Sequence, residues 1–389
     1  MLGAIIGDIV GSHYEVLEIN AKQNNPDKKR SYEERISILN PEVDLFTEQC
    51  SYTDDSVLTI AIASSIISDK DYESSLRKYG TKEISLGLDK YGRSRFGRGF
   101  VNWLQDNKEG NSYGNGGAMR ISPVGFYFND IKSILEETKL ATIPSHNHDD
   151  AITGAQAVTA AIYFARKGYS KKDIKTLLEF YFDYNLNFSL SELQHNYKFS
   201  SRTSESVPQA IFCFLESSSF EDAIRKSVSI GGDSDTIAAI TGSISEAYYG
   251  IPEELKEKAL SFLPPEYIKI VKDFYEELEL RKALKSVNIE NDEFIKYMRS
   301  RVKRYEHTNP DSLWGYFTEY NEEGYLCNIR LLVPHIADEK SLLINIHEYT
   351  HAYEAYQKLG TKYEEKVEES EALAKENEAK YLEKKKLYE

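Results

Sequence analysis

Three cysteines in 389 residues, Cys50, Cys213 and Cys327, are odd in number and too widely spaced for a disulfide framework or a zinc knuckle. Positive charge is also short: 48 Lys and Arg stand against 63 Asp and Glu, for a formal net charge of −15. That excludes a global basic field, so neither a nucleic-acid nor a membrane partner is expected. The basic residues at 28 to 30 sit in a polar run too short to suggest otherwise. No apolar run approaches the ~18 residues needed to span a bilayer. The opening "MLGAIIGDIVGSHYE" lacks a basic n-region and meets Asp8 early, so it reads as folded protein and not as a signal peptide. Cytoplasmic localisation is the resulting expectation.

What is present is an ordinary globular composition, 41% hydrophobic and 29% charged, over a length that suits two or three domains. Small-residue apolar segments recur at 56–68, 149–168, 206–217 and 235–250, and each reads as a buried helix. The second has an acidic first turn and a Lys-Gly stop, Pro208 falls in the expected first turn of the third, and Gly250 suits a C-cap of the fourth. Strand-like runs are scarce before residue 320. A Pro-containing amphipathic stretch, 250–284, ends this part. Beyond it, 316–336 alternates around a Glu-Glu-Gly turn as a hairpin does, and 362–386 has helical composition with acid–Lys pairs. The expected architecture is an all-α bundle over 1–284 followed by a small α+β domain over 285–389. The 28 tyrosines and 17 phenylalanines are spread along the chain and read as packing residues, and no internal repeat is found.

Carboxylates gather where small residues do. "YTDDSV" (52–57) and "GGDSDTIAA" (231–239) each place two Asp and a Thr at a helix start, where the helix dipole and free N–H groups favour negative charge. Each alone could be an N-cap. Together they offer hard oxygen ligands suited to Mg²⁺ or Mn²⁺, and without a cation the crowded carboxylates would raise one another's pKa. "GDIVGSHYE" (7–15), "YGNGGAMRISP" (113–123) and "PSHNHDDA" (144–151) share the pattern of small and polar residues.

The order of these five motifs resembles the ADP-ribosylglycohydrolase family, which includes the dinitrogenase-reductase-activating glycohydrolases, over roughly residues 1 to 265. The resemblance implies an all-α bundle with two Mg²⁺ in its cleft. It implies Thr53, Asp54, Asp55, Asp233, Asp235 and Thr236 as ligands of the metal pair. Glu15 matches the acidic residue near the centre. Gly114, Asn115, Gly116, Gly117, Ala118 and Met119, with Ser145 and His146, would line the ADP-ribose diphosphate and ribose. Glycines there would let the backbone approach a phosphate. The implied reaction is hydrolysis at C1″ of the distal ribose, with Glu15 or Asp235 assisting proton transfer. One departure stands out: members often carry a proline shortly after the histidine pair, where this chain reads His148, Asp149, Asp150. His148 is left between a helix-start hydrogen bond and a substrate contact.

A separate pattern lies near the C-terminus. "INIHEYTHAYEAY" (344–356) contains H-E-x-x-H, which on a helix projects His347 and His351 from one face and leaves Glu348 able to take a proton from water. The chain has only 8 histidines, so such a match is improbable by chance, although a solvated structural helix is the bland alternative. Zinc needs a third ligand. Glu371 follows His351 at a spacing similar to that of the glutamate zincins, Glu368 and Glu354 are its rivals, and His335 reads as an exposed residue at a strand end. The preceding strands would supply a sheet edge for a peptide.

The leading reading is a Mg²⁺-dependent hydrolase that releases ADP-ribose from a modified protein or small molecule, joined to a zincin-like domain holding one Zn²⁺. A second makes proteolysis the main activity and the first domain a reader of ADP-ribosylated targets. A third makes the C-terminal part a metal-stabilised interaction module without catalysis.

Overall fold

In a computed structural model the chain divides into two compact units, Met1–Val271 and Lys272–Glu389. The structure describes residues 1–24, 30–89, 92, 94–106, 110–289, 291–299, 301–305, 315–323, 325–336, 338–359, 361 and 367–386. The division falls inside the helix Pro265–Ser286. No helix among the described residues is long and apolar enough to cross a membrane, and none of the three cysteines forms a disulfide among the described residues.

The first unit is built from helices, and its bridges among the described residues are the isolated pairs Asn111–His146 and Gly114–Arg202. Its centre is Ser234–Tyr249, buried along most of its length and lying against Leu2–Asn24, Asp149–Arg166 and Thr203–Glu216. Small residues allow this. A Cβ on Gly7 would fall inside the Ala238 carbonyl, so the N-terminal helix and the central helix meet backbone to backbone. The helix Asp54–Ile66 is buried on nearly every side, as an all-round apolar helix must be.

The four expected buried helices are found with edges displaced by at most three residues, and one displacement has chemical content. The third begins at Thr203, so Pro208 lies inside the helix and not in its first turn. Its missing N–H removes one ladder bond, and the ring is buried in the core. Arg30 also departs from the expected polar loop. It is buried, its Nε donating to Glu18 at 3.0 Å, with Arg35 donating to the same carboxylate at 2.9 Å. Lys28 and Lys29 lie outside the described residues.

The second unit holds a three-stranded sheet in the order β1 (Val302–Tyr305), β3 (Leu326–Pro334), β2 (Gly315–Tyr320). β2 and β3 form the antiparallel hairpin expected from the alternating pattern, with Tyr316 opposite Leu331. The parallel β1 was not expected, because four residues reading Val-Lys-Arg-Tyr show no alternation long enough to register. Helices Glu339–Tyr356 and Val367–Lys386 follow. The core joins Leu284, Phe294 and Met298 to Ile329 and Leu331 of β3 and to Ile346 on the face of Glu339–Tyr356 that looks inward.

Candidate active site and a second ligand cluster

On the N-terminal helix, Asp8, Ser12 and Glu15 recur at four- and three-residue spacing and therefore share one face. Asp8 is the pivot. Its Oδ1 accepts from the Thr53 hydroxyl at 2.6 Å, and its Oδ2 accepts from the Thr53 and Ser56 backbone N–H groups at 2.9 and 3.1 Å. The Ser56 hydroxyl donates to Oδ2 as well. Asp8 thereby satisfies the first-turn donors of Asp54–Ile66 from another helix, while Thr53 caps that helix by accepting from the Asp55 N–H.

The second Asp pair arrives on the first turn of Ser234–Tyr249. Asp235 Oδ1 accepts from the Thr236 N–H at 2.9 Å, the Thr236 hydroxyl donates to Asp55 Oδ2 at 3.3 Å, and Asn115 donates to Asp233 Oδ2 at 2.8 Å. Two groups of three carboxylates result, Asp8–Asp55–Asp235 and Glu15–Asp233–Asp235, each with ligand-capable oxygens within 4.8 Å of one another. Asp235 belongs to both.

Burial, followed by repulsion from Asp235, raises the Asp8 carboxyl to about 7 and pushes Asp55 and Asp54 well above the usual range. Burial and the Asp233 charge raise Asp235 to about 8, and burial with Asp235 beside it raises Glu15 strongly. Asp55 Oδ1 is buried and has no hydrogen-bond partner. A hard divalent cation answers both features, since it neutralises the cluster and supplies the partner that Asp55 lacks.

The facing wall begins at the short helix Gly116–Met119. A Cβ on Gly116 would meet the His146 imidazole at 2.8 Å, so glycine here admits the histidine ring. His146 Nδ1 is 2.8 Å from the Ser145 hydroxyl, which accepts from Arg120 Nη2 at 2.8 Å. Burial, then the nearby Arg120, holds the His146 pKa well below its ordinary value, so the ring is neutral. Burial lowers Arg120 itself to about 9, and its Nε and Nη1 have no hydrogen-bond partner.

These walls enclose a cleft of about 660 Å³. Glu15, Thr53, Asp54, Asp55, Asp233, Asp235 and Thr236 line it, and so do Gly114, Asn115, Gly116, Met119, Ser145 and His146. Gly117 and Ala118, expected beside them, do not. Gly117 packs beneath the wall against Thr142 and His146, and Ala118 is 1% exposed. His148 caps Asp149–Arg166, its Nδ1 accepting from the Asp150 N–H at 3.2 Å.

Sequence reasoning missed Asp8, buried behind the cleft wall, and several residues that line the cleft. Asp8 carried a usable signal, its seven-residue spacing to Glu15 on one helix. Arg95, Phe96, Phe100 and Trp103 carried none, since only folding brings them to the cleft. There Phe96 and Phe100 stack with centroids 5.1 Å apart, and the Arg95 guanidinium lies 4.8 Å from the Tyr52 ring centre.

In the second unit, His347, His351 and Glu371 converge with ligand atoms within 4.8 Å of one another. The two Nε2 atoms are 3.1 Å apart, and Glu371 Oε1 stands 3.6 Å from that of His347 and 3.5 Å from that of His351. The rival Glu354 is engaged elsewhere, accepting from the Ser370 hydroxyl at 2.5 Å, and the side chain of Glu368 lies outside the described residues. His335 is half-buried and meets Glu276 at 3.0 Å.

A family model described as ADP-ribosylglycohydrolase matches residues 1–284. Human ADP-ribosylhydrolase ARH3 is 25% identical over 324 residues, covering 65% of this chain and 85% of that protein. ADP-ribosylarginine hydrolase Tri1 of Pseudomonas putida (strain GB-1) is 23% identical over 177 residues, 44% of this chain and 45% of its own length. A solved ADP-ribosylglycohydrolase-related protein complex aligns at 20% identity with a TM-score of 0.47, over 67% of this chain and 95% of its own.

Proposed function

The chain belongs to the ADP-ribosylglycohydrolase family, and from that premise we propose that its first unit releases ADP-ribose from an ADP-ribosylated protein or small molecule by hydrolysis at C1″ of the distal ribose. The observation that carries this reading is the pair of carboxylate triads that share Asp235, four of whose five members line the cleft. Thr53, Asp54, Asp55, Asp233, Asp235 and Thr236 would hold two Mg²⁺, or Mn²⁺ in their place. When bound, the cations supply positive charge for the ribose hydroxyls and make water easier to deprotonate.

The residues of the chain do the rest. Glu15 holds the attacking water and takes its proton as positive charge develops at C1″. Asn115 fixes the Asp233 carboxylate by its 2.8 Å hydrogen bond, which sets the direction in which that ligand faces. The neutral His146 and the Ser145 hydroxyl offer hydrogen bonds to the diphosphate or ribose without adding charge. Asp8 touches no substrate in this scheme and positions the first turn that carries Asp54 and Asp55.

The test is release of free ADP-ribose from an ADP-ribosylated polypeptide, followed chromatographically with Mg²⁺ and with chelator. Asp235→Ala belongs to both triads and should lower release by at least ~10²-fold, the scale of removing one preorganised electrostatic element. Full activity in that variant, or equal activity with chelator, would sink the reading.

A second reading concerns the second unit, and the convergence of His347, His351 and Glu371 favours it. These three would hold one Zn²⁺, with Glu348 as the base for a water and a peptide laid along the sheet edge. Peptide fragments produced from an unmodified polypeptide with Zn²⁺, and lost in Glu348→Gln, would support catalysis there.

A further inference from the structure

His347 and His351 of the second unit are fixed from behind by one helix. Glu378 Oε1 lies 2.5 Å from His347 Nδ1, and the Ser370 hydroxyl lies 2.6 Å from His351 Nδ1. Ser370 also donates to Glu354 at 2.5 Å, so toward His351 its oxygen can only accept. Both Nδ1 atoms therefore face acceptors and carry the ring protons, which leaves an unshared pair on each Nε2. Those two pairs face each other across 3.1 Å, with the Glu371 carboxylate alongside. Three electron-rich atoms held together in this way need a cation between them.

The spacing says which kind. Ligands 2.0–2.1 Å from a tetrahedral ion stand roughly 3.3–3.4 Å apart. The observed separations of 3.1, 3.5 and 3.6 Å straddle that value. Ca²⁺ or Mg²⁺ would prefer six or more oxygen ligands. Tyr316 of β2 stacks on the His351 ring at 5.3 Å, which closes that side with an apolar face.

Ser370, Glu371 and Glu378 all lie on Val367–Lys386, and so does Asn377, which donates to the Thr350 hydroxyl at 3.2 Å. From Ser370 to Glu378 the buried residues of this helix are Ser370, Ala374 and Asn377. Apolar anchorage onto the unit's core comes later, at Tyr381. The first half of the helix is thus seated on Glu339–Tyr356 through polar groups, most of which touch the metal-ligating side chains. Little hydrophobic burial is available there to hold it.

We propose that Ser370 and Glu378 are positioning residues for a Zn²⁺ at His347, His351 and Glu371, and that this ion is what seats the first half of Val367–Lys386. The proposal rests on the zinc reading of the second unit and adds the orienting pair and the mechanical consequence. The cross-link runs from one helix to the other, so its removal frees a ligand, two orienting groups and the seam at once.

The experiment uses the full-length protein, stripped of zinc and saturated with Mg²⁺. Zn²⁺ affinity is read by competition with a chromophoric chelator, and backbone hydrogen exchange is followed across residues 370–378. One Zn²⁺ should bind, and exchange there should slow at least ~10-fold, the factor that 1.4 kcal/mol of added stability supplies. Glu378→Gln and Ser370→Ala should each weaken affinity ~10–100-fold, as loss of an orienting partner does. Ser370→Thr keeps the hydroxyl and should restore affinity, which separates orientation from general damage to the fold. One Zn²⁺ bound by the wild type and lost in His347→Ala, with Glu378→Gln and Ser370→Ala binding as tightly and exchange unmoved, overturns the positioning claim and leaves the metal site standing. No Zn²⁺ in the wild type removes both.

Discussion

Asp55 shows how a side chain unfavourable for folding can stand where the proposed chemistry would use it. One of its oxygens is buried without a partner and the other accepts only a 3.3 Å bond from Thr236, while burial and Asp235 oppose its ionisation. Asparagine keeps the shape and one acceptor but removes the charge. In the metal-free protein Asp55→Asn should therefore raise stability at pH 8, because it removes the charge that burial and Asp235 oppose. The same change should lower Mg²⁺-dependent ADP-ribose release by at least ~10²-fold. Thermal melts without metal, set beside turnover with it, check the opposite signs, and a destabilised or fully active variant counts against the site. Thr53, Asp54, Asp55, Asp233, Asp235 and Thr236 of the cleft were legible in the sequence because Thr-Asp-Asp and Asp-x-Asp-Thr are local clusters at helix starts. Asp8 and Arg120 were not singled out, since what distinguishes each is a partner far away in the chain: Thr53 and Ser56 for one, Ser145 for the other.

At the scale of elements, the cleft depends on how closely two helices can lie. Gly7 sits against the Ala238 carbonyl, and that contact sets Asp8 and Glu15 beside Asp235. Gly7→Ala gains about 1 kcal/mol of helix propensity. It also drives a methyl group into backbone, and overpacking of that kind costs ~1–3 kcal/mol or more. Steric cost should win, with a net loss of ~2 kcal/mol and reduced turnover from displaced carboxylates. An unchanged melting temperature would show that the helices can separate freely. The helices themselves were readable from composition and caps: Thr53 and His148 cap as helix-start residues do, and Gly250 ends Ser234–Tyr249. Pro208 misled because a proline is normally found in a first turn, and here burial compensates for one lost ladder bond. The four-residue β1 had too little sequence to show a period.

For the whole molecule, the acidic cleft couples folding to pH and to cation. In the unfolded chain Asp titrates near 3.8; in the folded chain Asp8 titrates at about 7 and Asp235 at about 8. Protons thus bind more tightly to the folded form, so this contribution is fully present below pH ~4 and is lost as pH rises toward ~8. Metal-free protein should melt at progressively lower temperature across that window. Mg²⁺ should restore stability more at pH 8 than at pH 5, because it competes with protons for the same carboxylates. Scanning calorimetry at the two pH values checks this, and an equal Mg²⁺ shift at both would contradict it. By itself the sequence determined the helical character of the first unit, the hairpin of the second, and the acidic and histidine clusters from which the two proposed metal sites are built, because periodicity, caps and short motifs are local properties of the chain. Only the tertiary structure decided that Asp8 joins the carboxylates, that aromatic residues from 96 to 103 wall the cleft, and that Glu378 and Ser370 stand behind the histidines. Those pairings span tens of residues or more, and what fixes them is close packing of particular helix faces, which no local pattern encodes.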